Sequence, residues 1–117
     1  MTREIEIGGK PIKFTANGAT PVFYKMFFKK DLLKEITSSE DGLILASDSV
    51  PELAFIMAKQ ADGADMYKLE QKHYIEFLTL FNPLDLPING AEIFGVYTAD
   101  SVPTEESKKK TSEKVKE

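Results

Sequence analysis

The sequence predicts a mainly α domain: an N-terminal β-hairpin, then a small bundle of about four helices, then a polar, disordered C-terminal tail. Three observations predict it. Residues 3–14 alternate polar and apolar around Gly8-Gly9, the period of a half-buried strand. Further along, apolar residues recur at intervals of three and four, the period of a helix with one buried face. From Ser101 onward Pro, Ser, Thr, Glu and Lys dominate, with Val102 and Val115 as the only large apolar residues. Such a segment cannot offset its own ordering entropy. The expected division is therefore a folded unit over 1–100 and a tail over 101–117.

In the hairpin, a two-residue loop at Gly8-Gly9 sets Ile5 against Ile12 on one face and Glu4 against Lys13 on the other, both favourable pairs. Pro11 cannot donate to a ladder, so this ribbon is an edge and not the centre of a sheet. A lone hairpin is marginal in water, and its Ile/Phe face must lie on helices or on another subunit.

Asn17-Gly18 breaks the ribbon, and Thr20-Pro21 reads as an N-cap followed by proline in the first helical turn. Val22, Phe23, Met26, Phe27 and Leu33 then form a stripe, widened by Tyr24, Phe28, Leu32 and Ile36. A helix so apolar around its circumference is expected near the centre of the fold. Residues 37–42 read as a polar loop, and Leu43-Ile44-Leu45 as an apolar anchor that periodicity assigns to neither strand nor helix.

Ser49-Val50-Pro51-Glu52 fits a capping box. Val50, Leu53, Ala54, Met57, Ala58 and Ala61 follow at helical spacing, and Gly63 marks the end. Phe55 and Ile56 lie off that stripe, so this helix is either fully enclosed or touches a partner. Asp65 is expected to cap a third helix reaching Phe81, stopped by Asn82-Pro83, and a fourth element spans Leu86 to Tyr97 with Ala91, Phe94 and Tyr97 on one stripe.

Composition narrows the function. A net charge of −4 disfavours nucleic acid and anionic membranes as partners. Without cysteine there are neither disulfides nor thiolate metal sites, and a cytoplasmic location is expected. No glycine pattern writes a phosphate cradle. His73, the only histidine, has Glu70 and Glu76 near it but reads as a partly buried helix residue. Asp62-Gly63-Ala64-Asp65 lacks the ligand alternation of a calcium loop, and Ser47-Asp48-Ser49 reads as loop plus cap. Lys29-Lys30 is followed at once by Asp31 and Glu35, a mixed solvated face. No cofactor, metal or catalytic residue is expected, which leaves a binding protein rich in phenylalanine and tyrosine.

Three stretches have a family look: the hairpin Glu4-Ile5-Glu6-Ile7, the Phe-rich helix ending in Asp31-Leu32-Leu33, and Pro51-Glu52-Leu53-Ala54-Phe55-Ile56-Met57-Ala58-Lys59-Gln60-Ala61. Together with Tyr74-Ile75-Glu76-Phe77-Leu78 and residues 84–97, they resemble the tail assembly chaperones of long-tailed, non-contractile phages or prophages of Gram-positive bacteria. The resemblance covers about residues 3–98, and residues 53–60 carry most of it. It implies a non-enzymatic helical protein of the host cytoplasm, not retained in the mature virion, that coats the tape measure protein and keeps it soluble. It also implies recruitment of tail tube protein, through a longer frameshifted form where one is made. Residues 104–117 are then the terminus of the short form. Phe55, Ile56, Ile5, Ile7 and Ile12 are the expected partner-binding or self-association residues. The alternative reading is a structural tail component kept in the virion, a tube or terminator-like subunit.

Overall fold

The computed structural model describes residues 1–99; the tail expected over 101–117 lies outside the described residues. The chain opens with β1 (Thr2–Ile7) and β2 (Lys10–Thr15), paired antiparallel with Ile5 opposite Ile12 and Glu4 opposite Lys13, the register that a Gly8-Gly9 loop dictates. Both loop glycines have positive φ, 59° and 82°, the left-handed conformation that costs glycine nothing. The inner face of this ribbon buries Ile5, Ile7 and Phe14 against helices.

Gly8 is held twice over. A Cβ at this position would run into the Asp85 carboxylate, whereas one on Gly9 would meet open space. Gly8→Ala is therefore expected to cost about 1–3 kcal/mol, and Gly9→Ala only the backbone strain within that range. Urea denaturation of both variants checks the order; equal losses would deny the Gly8–Asp85 approach.

α1 (Thr20–Phe28) is shorter than its apolar run predicts. Lys29 adopts φ 61°, ψ 32° and closes the helix, its N–H bonded to the Lys25 carbonyl. Asp31 then starts a 3-10 turn over Leu32–Glu35 by accepting the Leu33 N–H. The break rotates the stripe: Tyr24 and Leu32 are buried, while Val22 and Leu33 are 57% and 68% exposed. Thr20 is no N-cap. Its hydroxyl donates to Gln60 Oε1 at 2.7 Å, and Asn17 Oδ1 takes the Ala19 N–H instead. α1 is accordingly a flank of the fold and not its centre.

Residues 37–45, expected as loop plus undecided anchor, form a second hairpin together with Ile36, expected on the stripe of the first helix. β3 (Ile36–Ser39) pairs with β4 (Gly42–Leu45) across a Glu40-Asp41 turn, where Gly42 has φ 116° and the Ser39 hydroxyl bonds the Gly42 carbonyl. Leu43-Ile44-Leu45 is thus strand.

The centre is α2 (Val50–Ala61), which packs against the first hairpin, α1 and every later helix. All residues from Leu53 to Ala58 are buried. The helix therefore takes the enclosed one of its two readings. Its end follows the expected signal: Gly63 at φ 73°, with the Gly63 N–H on the Gln60 carbonyl and the Ala64 N–H on the Lys59 carbonyl, a Schellman pair. Its start does not. Neither member of the expected capping box caps: Ser49 Oγ donates to Glu35 Oε1 at 3.1 Å, and Glu52 Oε1 accepts from the Tyr24 hydroxyl at 2.6 Å and pairs with Lys30 Nζ at 2.8 Å. Tertiary partners outbid the local ones.

After α2, Asp65 caps only a 3-10 turn over Met66–Lys68, and the helix proper, α3 (Gln71–Leu78), begins three residues later and stops short of Phe81. The fourth element is two helices, α4 (Asp85–Ile88) and α5 (Gly90–Thr98), broken at Asn89, whose side-chain amide donates to the Asp85 carbonyl at 2.7 Å. α5 buries Ile93, Phe94 and Val96 but leaves Ala91 exposed, so the expected Ala91–Phe94–Tyr97 stripe is turned relative to the core.

Candidate functional site

Four of the five residues expected to meet a partner lie inside the fold. Ile5 and Ile7 sit under the helices, and Phe55 and Ile56 have no exposed surface. Phe55 is the hub of an aromatic cluster, its ring 5.2 Å from Phe27, 5.2 Å from Tyr74, 5.7 Å from Phe77 and 6.3 Å from Phe28. The expectation is corrected on physical grounds: a side chain enclosed by four rings cannot touch a client unless the domain opens. Ile12 alone of the five reaches the surface, half-buried beside Leu80 and Phe77 in a cleft of about 330 Å³ between β2 and α3. Lys13, Lys59, Asp62 and Glu76 stand around it, a rim of mixed sign.

The same cluster sets an alkaline limit to the fold. Burial pushes the Tyr74 hydroxyl up to about 12, and burial together with its bond to Glu52 raises Tyr24 as well. Unfolded tyrosine ionises near its ordinary value of 10.0. Above that pH the unfolded chain binds fewer protons than the native one, so stability falls as pH rises from about 10 toward 12. Circular dichroism and tyrosinate absorbance should change together there. Full ionisation with the helices intact would contradict this.

A second apolar surface was not picked out from the sequence. Leu43 and Ile44 on β4 are 42% and 52% exposed. They face Pro87, Gly90 and Ala91 across a groove of about 260 Å³, floored by the buried Leu45, Val50 and Phe94. The groove continues along α5 past Gly95 to Thr98, adding about 200 Å³. Leu45 is buried at the floor of the groove, while Leu43 and Ile44 beside it on the same short strand stay partly exposed. Gly90 lets α5 approach α2, since a Cβ there would stand 3.3 Å from Val50 Cγ2. Ile88, next to Pro87, is 74% exposed. The sequence signal was present in Leu43-Ile44-Leu45, but an apolar triplet does not say which of its members α5 will cover.

The polar groups singled out earlier hold the backbone. His73 Nδ1 accepts the Glu70 N–H at 2.8 Å and so caps α3, a role that ties up the acceptor nitrogen. Ser47, Asp48 and Ser49 form a 3-10 turn leading into α2. Lys30 is bound to Glu52, which raises the lysine's pKa by hydrogen bonding. Among the described residues, no group of three or more His, Asp or Glu side chains is placed to hold a metal ion. No helix there is long and apolar enough to cross a membrane. What the arrangement offers is an apolar groove on a firmly packed support, able to take a row of apolar side chains from another chain.

Comparison with protein-family models, with characterised proteins and with solved structures finds no match.

Proposed function

We propose that this chain is a non-enzymatic phage tail assembly chaperone, which binds the tape measure protein in the host cytoplasm, keeps it soluble, and helps recruit tail tube subunits. The observation that carries this reading is the open groove of Leu43, Ile44 and Phe94 on a scaffold whose centre is close-packed. A holding chaperone needs these two properties together: accessible apolar surface to cover a client's own, and a core stable enough to carry that surface without unfolding. The likeness of residues 3–98 to tail assembly chaperones supplies the client's identity.

The test is co-expression with the tape measure protein. The client is expected to stay soluble and to co-purify, and Ile44→Ser to lower the soluble fraction several-fold with the chaperone itself still folded. A client equally insoluble with and without the chain, also when any longer frameshifted product is supplied, overturns the proposal. Mass spectrometry of purified virions separates it from the structural alternative: a chaperone is absent, whereas a tube or terminator-like subunit is present in stoichiometric amount.

A further inference from the structure

The two segments that line the groove, residues 43–50 and 87–98, carry charge of one sign only. No lysine or arginine occurs between Lys34 and Lys59, or between Lys72 and Lys108. β4, the turn into α2, α4 and α5 all fall within these two stretches. The charged residues that the groove's own elements expose are acidic: Glu40 and Asp41 at the tip of the second hairpin, Asp48 beside the lining residue Ser47, and Glu92 beside the lining residue Ala91. The cleft at Ile12 differs, since both lysines and carboxylates line it. We infer that the groove between β4 and α5 binds an amphipathic helix with a basic polar face, its apolar side chains seated over Leu43, Ile44 and Phe94 and its cations over Glu40, Asp41, Asp48 and Glu92.

Size and chemistry agree with that occupant. α5 has nine residues, about 13 Å of helix, so a partner helix lying along it presents two turns, or anchors at i, i+3 or i+4, and i+7. The apolar floor supplies affinity, while the unopposed carboxylates select the partner's sign and speed its approach, an effect that salt screens. An acidic helix meets only like charge there. The inference rests on the chaperone reading for the helical form of the partner, and it can fail while that reading stands.

The experiment uses the full chain and two labelled synthetic peptides with one leucine stripe, their polar positions all lysine in one and all glutamate in the other, followed by fluorescence anisotropy. The lysine peptide is expected to bind at least about tenfold more tightly, with the margin shrinking as ionic strength rises. Ile44→Ser should weaken it about tenfold, and the double charge reversal Asp48→Lys/Glu92→Lys should shift preference toward the glutamate peptide. Circular dichroism confirms that both variants are folded. Equal binding of the two peptides, binding indifferent to Ile44→Ser, or binding of neither overturns the inference. Concentration-dependent self-association of the chain alone that Ile44→Ser abolishes also overturns it, because the occupant is then a second copy. Should the peptides fail while wild-type chain and the Ile44→Ser variant both keep the tape measure protein soluble, the chaperone reading survives on another surface and only this site is lost.

Discussion

Phe55→Ala is expected to remove about 3–5 kcal/mol of stability, the cost of deleting a large ring from a fully enclosed site and leaving a cavity behind. Against a total of roughly 5–15 kcal/mol for a domain of this size, that leaves a chain at the edge of folding. The reason lies in what surrounds the ring. Phe27 and Phe28 come from α1, Tyr74 and Phe77 from α3, and all four lie within 6.3 Å of Phe55 by ring centroid. Phe55 is the one aromatic residue of α2, and its ring meets rings from both flanking helices, so relaxation into the cavity would have to move both. Phe55→Ser should be worse, because a buried hydroxyl without a partner is added to the cavity. The check is urea denaturation followed by far-UV circular dichroism. Ile44→Ser serves as the counterpart: a half-exposed side chain on an edge ribbon, it should shift stability by no more than about 0.5 kcal/mol. Core and contact residues are thereby separated by experiment. If Phe55→Ala retained wild-type stability, the ring would not be the hub that this packing makes it.

The contrast shows what the sequence could disclose. The first hairpin was legible in full, register included, because Gly8-Gly9 permits one short loop and every cross-strand pair follows from it. α2 was legible in its extent and at its end, since Gly63 is a local signal whose meaning survives folding, whereas the capping box expected at its start gave way to tertiary partners. The end of α1 was not, because Lys29 adopts a left-handed conformation that nothing in its side chain announces. The second hairpin was hidden by polarity: Thr37, Ser38 and Ser39 read as loop, and their strand exists because Leu43–Leu45 pairs with them across Glu40-Asp41. The groove failed to appear for a related reason. Phe55 and Ile56 lie off the apolar stripe of α2, which left full enclosure and a partner contact as equal readings of the sequence. In the fold its middle is covered all round, and the uncovered apolar residues lie elsewhere, among them Val22, Leu33, Ile75 and Ile88 as well as Leu43 and Ile44 on β4, a strand too short for periodicity to read. Pattern recognises which residues are apolar, but topology decides which of them are left over.

Removing the Glu52 carboxylate is the second large loss to expect, and it distinguishes a local role from a tertiary one. Were Glu52 a capping-box residue, as its spacing from Ser49 implies, Glu52→Ala would cost about 1 kcal/mol and would be indifferent to the residue at position 24. In the fold its Oε1 takes the Tyr24 hydroxyl at 2.6 Å and Lys30 Nζ at 2.8 Å, while Ser49 turns away to Glu35. Tyr24 is completely enclosed, so Glu52→Ala deprives a buried hydroxyl of its charged acceptor, and the cost should rise to about 2–4 kcal/mol. The ion pair contributes little of this, because the lysine side chain remains about a third exposed. Glu52→Gln keeps an acceptor for Tyr24 and should lose only about 1 kcal/mol. The decisive measurement is a double-mutant cycle. With Tyr24→Phe in place the orphaned hydroxyl is gone, and Glu52→Ala should then be milder by about 1–3 kcal/mol. A coupling near zero would return Glu52 to the helix terminus. A coupling of the expected size would show that this bond fastens α1 to α2 beside the aromatic cluster.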